Sequence, residues 1–219
     1  MNVVNKLRAR IGSSVAIDAE VAGREAAAGA MAGLGEEAPA LVIVYASVAY
    51  DLPLLLASIR RVTGTVPLIG ATTAGQLHDG VFVAPGGGVQ VLALTAGPYS
   101  FGVAGRNGLA AGDPEDLGRR LAVAARAAAD PGTRPHAAVM LLSDGMAGHQ
   151  QHLLNGVYEV AGAAVPVVGA PPGTISPSAR LSSSKATESC GTPRPQSGSL
   201  LTSRLASWPS MDTRPPACR

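Results

Sequence analysis

Apolar residues in the first 170 positions occur either in short continuous runs or at helical spacing. The runs at residues 41–45 and 137–142 are uninterrupted, as expected of strands that are covered on both faces. A shorter apolar run follows each of them, at residues 66–69 and 165–168. The pattern therefore predicts four strands arranged as two pairs.

A segment with one apolar helical stripe lies between the strands of each pair. In the first segment Asp51 supplies an N-cap and Gly64 a C-terminal stop. In the second, helical spacing extends over residues 149–160. Each copy thus reads strand, helix, strand, and such a crossover makes the two strands parallel with a right-handed connection.

Two more helices are predicted, over residues 19–34 and 114–129, because Asp18 and Asp113 are strong N-caps. Segments joined by Gly and Pro turns predict short strands, of which the last three would form an antiparallel meander: residues 13–17, 80–83, 89–94 and 99–103.

The two strand-helix-strand segments also resemble each other in sequence. The first closes on Val66-Pro-Leu-Ile-Gly-Ala71 and the second on Val165-Pro-Val-Val-Gly-Ala170. Unrelated segments seldom share this order and spacing. The chain is therefore expected to be an α/β protein, with a mixed sheet built from two β-α-β units plus the meander.

The composition changes after residue 170. Ser, Pro, Thr and Arg dominate residues 171–219, and no helical or strand period is visible there. Such a segment cannot easily bury a core, so we expect a domain at residues 13–170 followed by a disordered C-terminal tail.

Charge and cysteine content exclude several classes of protein. The formal net charge is +2. Residues 171–219 contain six basic and two acidic residues, so the rest of the chain is slightly negative. The nearly neutral remainder has no basic patch with interleaved aromatics, so we expect no nucleic-acid partner. Cys190 and Cys218 give neither a disulfide framework nor a metal spacing.

The sequence also gives no reason to expect a membrane protein. Residues 81–104 carry no charge but are interrupted by Gly and Pro, which indicates short strands, not a spanning helix. The basic N-terminus lacks a long apolar run and a cleavage site. We therefore expect a cytoplasmic protein without membrane contact, metal or cofactor.

Candidate ligand-contacting residues follow the predicted parallel strands. Ligands of parallel α/β sheets bind beyond the carboxyl ends of the strands. Ser47 follows the first strand, the small-residue loop 70–75 the second, and Ser143 and Asp144 the first strand of the second copy. The glycines at 86–88 lack the Lys and Ser/Thr of a phosphate loop and are interpreted as a hairpin loop.

A catalytic alternative uses nearly the same residues. Ser143 and Asp144, with His149 or His152, supply the residue types of a small hydrolase or transferase. No nucleophile-elbow pattern accompanies them, and the two histidines lack a third metal ligand at a telling spacing. A protein without enzymatic activity is the favoured interpretation, and the hydrolase is the alternative.

Several of these motifs, in this order, resemble the N-terminal part of the FIST family of bacterial sensory domains. They are the strand and serine of residues 41–47, the Pro-Leu-Ile-Gly-Ala-Thr-Thr-Ala-Gly of 67–75, Ser-Asp-Gly at 143–145 and Val-Pro-Val-Val-Gly at 165–169. The resemblance covers about residues 13–170. It implies a non-catalytic signal-transduction domain for small polar ligands such as amino acids, acting beside chemoreceptor or histidine-kinase proteins. The ligand-binding positions that it suggests are Ser47, Gly70, Thr72, Thr73, Gly75, Asp144 and Gly169.

The chain departs from the family after Gly169. Members continue with Gly-Ala-Ala-Gly-Asp-Asp, whereas this chain reads Ala170-Pro-Pro-Gly-Thr-Ile-Ser176. A frame that starts at the third base of the Ala170 codon can encode the family continuation when each free base is G. One hypothesis is therefore that 171–219 is a frameshift product and that the domain is truncated, which could leave it without function. The rival hypothesis is a genuine disordered tail.

Overall fold

The computed structural model describes residues 6–78, 80–83, 86–107, 109, 112–129, 136–144, 147–170 and 197–202. Ten strands and four helices lie within these residues. In chain order they are β1 (Ala9–Ser14), α1 (Ala19–Leu34), β2 (Pro39–Ser47), α2 (Leu52–Thr63), β3 (Leu68–Thr73), β4 (Gln76–His78), β5 (Val81–Val83), β6 (Val89–Thr95), β7 (Val103–Asn107), α3 (Pro114–Ala128), β8 (Val139–Leu142), α4 (Gln150–Ala161), β9 (Val167–Ala170) and β10 (Ser197–Thr202).

Eight of the ten strands form two mixed sheets of the same topology. The first has the order β1-β6-β2-β3, with β2 and β3 parallel and β6 antiparallel to β1 and β2. The second has the order β7-β10-β8-β9, with β8 and β9 parallel and β10 antiparallel to β7 and β8. The α/β class, the mixed pairing and both parallel pairs are thus confirmed, but each β-α-β unit has its own sheet.

Strands form near the predicted 80–83 and 89–94, but the third begins only at Val103, so the predicted strand at 99–103 is wrong, and the three strands do not form a meander. β5 forms a hairpin with β4, β6 lies between β1 and β2, and β7 belongs to the second sheet. The physical reason is visible in β6, whose alternate residues Val91 and Leu92 pack into two different apolar clusters. A strand that is covered on both faces gains more burial at the centre of a sheet than in a local hairpin.

The duplication extends beyond the β-α-β units to the helix preceding each of them. Every buried position of α1 after Ala19 has a buried counterpart 95 residues later, in α3 or at its C-cap. The buried residues of α1 that recur are Ala22, Gly23, Ala26, Ala27, Ala30 and Leu34, and their counterparts are Leu117, Gly118, Leu121, Ala122, Ala125 and Ala129. In the same way Leu55, Ser58 and Ile59 of α2 correspond to Leu153, Gly156 and Val157 of α4. The chain is therefore a repeat of one β-α-β-α-β unit.

The first sheet is covered on both faces. Val42 and Val44 of β2 share an apolar cluster with α1 and α2. Leu41 and Ile43 point to the opposite face and share the second cluster with α3, α4 and β8. The continuous apolar run of this strand is thereby explained, as its pattern predicted.

Most of the predicted tail, 171–219, lies outside the described residues. Six of its residues form β10, so the prediction that this segment has no regular structure is wrong for residues 197–202. β10 is paired along five residues with β7 and along four with β8. It therefore occupies the place in the second sheet that β6 occupies in the first, and it satisfies backbone groups of both neighbouring strands.

None of the helices in the described part of the chain is long and apolar enough to cross a bilayer. The uncharged stretch at 81–104 contains β5, β6 and the start of β7.

Candidate functional site

The first group of predicted ligand residues lies at the carboxyl ends of β2 and β3. Ser47 and Thr73 are register partners in the parallel pair, and Ala46 is the partner of Thr72. Ser47 and Thr72 are each 1% exposed, and Gly70 is buried as well. Thr73 and Gly75 are half-buried. The parallel strands thus bring the group together, but three of its five residues are closed off from solvent.

The polar groups of this region hold the glycine loop, which we define as residues 86–88. The Ser47 hydroxyl accepts hydrogen bonds from the N–H groups of Ala49 at 3.2 Å and Gly86 at 3.3 Å. The Ser47 N–H donates to the Gly88 carbonyl at 2.9 Å. The loop joins β5 to β6, which do not pair with each other, so the interpretation as a hairpin loop is wrong.

Tyr50 and Gln76 complete this network, and neither was among the predicted ligand positions. The buried Tyr50 hydroxyl donates to the Ala16 carbonyl at 2.6 Å and accepts from the Gly88 N–H at 3.1 Å. Gln76 Nε2 lies 2.8 Å from the Gly88 carbonyl oxygen and 3.2 Å from Thr73 Oγ1, and it donates to both. A polar residue directly after a run of small residues is the only sequence signal for Gln76.

Burial also affects the two tyrosines beside this network. It raises the pKa of Tyr45 above 10.0 because the ionised phenolate would lose its hydration. It raises the pKa of Tyr50 as well, and the hydrogen bond from Gly88 opposes this in part. Both side chains are therefore neutral at neutral pH, and Tyr50 acts as a hydrogen-bonding strut between two backbone segments.

The second group, Asp144 and Gly169, lies in the other repeat. Asp144 directly follows Ser143 at the end of β8, and its carbonyl accepts from Gln150 Nε2 at 3.2 Å and from the Ala147 N–H at 3.3 Å. Gly169 pairs with Leu141 in the parallel ladder. A Cβ on Gly169 would overlap the Leu141 carbonyl group, so close approach of the two strands requires glycine there.

A cavity of about 180 Å³ opens beside the second group, between α4 and the strands β8 and β9. Gly169 lines this cavity, whereas Ser47, Gly70, Thr72, Thr73 and Gly75 do not. Its lining is mainly apolar: Leu141, Ser143, Gln150, Leu154, Val167, Val168 and Gly169. The seven predicted positions therefore divide between the two repeats, and only Gly169 of them lines the cavity.

The catalytic alternative gains no geometric support. Ser143 is 5% exposed, and no histidine in the described part of the chain hydrogen-bonds to it. His152 Nδ1 lies 3.9 Å from Glu115 Oε2, and the rings of His149 and His152 are 6.2 Å apart. An activated serine needs a base within hydrogen-bond reach. Within the described residues, no three His, Cys, Asp or Glu side chains are grouped as a metal site requires.

A duplicated α/β domain whose loops converge at the ends of parallel strands is typical of a small-ligand-binding domain. The family description "FIST N domain" matches residues 40–178, which is more than half of the 219 residues. The chain belongs to the FIST family, whose members are sensory domains of signal transduction. No curated protein matches the chain.

Proposed function

We propose that this protein is a non-catalytic, cytoplasmic sensory domain that binds a small polar ligand of the amino-acid type and reports its presence to chemoreceptor or histidine-kinase proteins. The family match over residues 40–178 carries this proposal. Two further observations support it. The strand ends of both repeats carry small and polar residues, and one of them adjoins a cavity of ligand size.

The seven site positions have two proposed roles. Ser47, Gly70, Thr72, Thr73 and Gly75 are mostly buried and would shape the end of the first sheet by holding the glycine loop. Gly169 lines the cavity, and Asp144 directly follows the lining residue Ser143 in the chain, so we assign the ligand contacts to these two positions. A carboxylate at Asp144 would pair with the ammonium group of an amino acid.

The test is a calorimetric titration of the full chain with the common amino acids. We expect at least one to bind, and Asp144→Asn to weaken that binding at least tenfold because a charge-assisted hydrogen bond is lost. Glu36→Gln, an exposed charge neutralisation of the same size, is the control and leaves binding unchanged. Absence of heat with every amino acid, from a protein that circular dichroism shows to be folded, would overturn the proposal.

A further inference from the structure

The two repeats can be compared residue by residue because equivalent backbone contacts fix their alignment. The Val42 N–H donates to the Pro67 carbonyl at 2.8 Å, and the Val139 N–H donates to the Pro166 carbonyl at 2.8 Å. The helices align equally well, since Gly64 closes α2 on Arg60 as Gly162 closes α4 on Tyr158. The first repeat therefore serves as an internal reference for the second.

The space between the second helix of each repeat and its parallel strands is packed in the first repeat and contains a cavity in the second. In the first repeat the space between α2 and the parallel strands is packed with Ala46, Leu52, Leu56 and Leu68. Their counterparts in the second repeat are Ser143, Gln150, Leu154 and Val167. All four counterparts line the cavity of about 180 Å³. At two of these four positions the second repeat thus has a polar residue where the first repeat has an apolar one.

Ser143 is a buried polar residue of the cavity lining. It is 5% exposed, and its hydroxyl makes no hydrogen bond to any described residue. Leu141, two positions earlier along the strand direction, lines the same cavity, which places both side chains on this face. An unsatisfied buried hydroxyl costs stability, so its presence here calls for a ligand acceptor or donor.

The start of α4 adds a second attraction for an anion. Asp51 caps α2 through a hydrogen bond from the Leu54 N–H, but its counterpart His149 adopts the left-handed conformation and makes no side-chain cap. His149 is the only non-glycine residue of the described chain with a positive φ, 61°. The first turn of α4 is thus not capped by the side chain of its N-cap residue, and the helix dipole at this end favours a bound carboxylate.

We infer that this cavity binds a small aliphatic carboxylate. The carboxylate group lies at Ser143 and the first turn of α4, and the aliphatic part packs against Leu141, Leu154 and Val167. The volume of about 180 Å³ is large enough for a short aliphatic chain. No Lys or Arg lies in the lining, so a singly charged carboxylate fits better than a phosphate. This inference rests on the proposed ligand-sensing function and specifies where and what the domain binds.

The experiment returns cavity residues to their first-repeat counterparts. Isobutyrate, its uncharged analogue isobutyramide, and valine are titrated into the full chain and into Ser143→Ala, Gln150→Leu and Gln151→Leu. The Gln151 side chain is exposed on the same helix and does not line the cavity, and its substitution leaves the backbone N–H in place, so it makes the matched control. We expect isobutyrate to bind the wild type and Gln151→Leu equally, to bind Ser143→Ala and Gln150→Leu at least tenfold more weakly, and to bind better than isobutyramide.

Stability of the unliganded variants provides a second readout. Because the Ser143 hydroxyl has no partner among the described residues, Ser143→Ala should unfold at the same temperature as the wild type or at a higher one. A clear decrease would mean that the hydroxyl is already satisfied, and it would overturn the inference.

The outcomes also separate this inference from the proposed function. If valine binds and Asp144→Asn abolishes binding while Ser143→Ala does not, the sensor stands and the cavity assignment is wrong. If isobutyrate binds through Ser143 but no amino acid does, the cavity assignment stands and the amino-acid specificity is wrong. Failure of all three ligands to bind the folded chain would overturn the cavity assignment.

Discussion

Single glycines determine how closely the paired helices of each repeat approach. A Cβ on Gly23 of α1 would lie 2.7 Å from the Leu55 carbonyl oxygen of α2. A Cβ on its counterpart Gly118 would overlap the Leu153 carbonyl, which is the equivalent atom of the second repeat. The same contact has therefore been kept in both repeats. The core contains many alanines. Because their side chains are short, the helices fill the space between them only when their backbones lie in close contact.

This leads to a matched pair of substitutions in α1. Gly23→Ala should lower the free energy of unfolding by about 1–3 kcal/mol, because the added methyl group forces the two helices apart. Gly29→Ala is the control. Gly29 is exposed, and a Cβ there would meet only Gly12 Cα at 3.4 Å. Replacing this helix glycine by alanine should therefore raise the free energy of unfolding by about 0.5–1 kcal/mol. Urea unfolding measures both. Equal effects of the two substitutions would contradict close packing at Gly23.

Among the elements, α3 and α4 are joined by a charge network centred on Arg119, whereas α1 and α2 are joined by the Arg61–Glu20 ion pair. Arg119 of α3 donates to Glu159 of α4 at 2.8 Å and lies within 4.0 Å of Asp113, Glu115 and Asp116. The hydrogen bond from Arg119 is the main cause of the lowered pKa of Glu159. These side chains are exposed, so the network contributes modestly and in a salt-dependent way.

The lowered pKa of Glu159 predicts a pH dependence with a definite sign. A carboxyl whose folded pKa lies below its unfolded value of 4.5 stabilises the protein above that pH, and the contribution is lost as the pH falls through the folded pKa. Glu159→Gln should therefore lower the melting temperature at pH 7 in low salt and match the wild type in strong acid or 1 M salt. Glu36→Gln, an exposed control, should show no such convergence. A difference that persists at low pH would refute the role of this pair.

Local signals predicted the helices and the parallel strand pairs well, but not the antiparallel pairing. α1 spans the predicted residues 19–34 after its N-cap Asp18, and the caps at Asp51 and Asp113 were equally reliable, because capping is a local interaction. The partners of β6 are set by contacts with residues far away in the sequence, which no local pattern contains. The same distinction applies to the candidate site. Its predicted residues follow from the positions of the strand ends, but the contacts of Tyr50 and Gln76 depend on tertiary packing.

For the whole molecule, the repeated topology gives β10 a defined place. In the first repeat the segment 74–88 connects β3 to β6, and in the second the longer segment 171–196 connects β9 to β10. The family match ends at residue 178, inside that second connection. The frameshift hypothesis stays a prediction, and resequencing the codons from Gly169 to Ile175 tests it: a base other than G at any of the free positions rules it out.

Truncation tests whether β10 belongs to the domain. A chain ending at residue 202 keeps β10, and one ending at 196 leaves β7 and β8 without the strand between them. Each lost ladder hydrogen bond costs about 1 kcal/mol, and 1 kcal/mol shifts the melting temperature of a chain of this size by about 2–4 °C. We therefore expect the 1–196 chain to melt roughly 10 °C or more below the 1–202 chain, as followed by circular dichroism. Equal melting temperatures would mean that residues 197–202 add nothing to the second sheet, as the disordered-tail hypothesis requires.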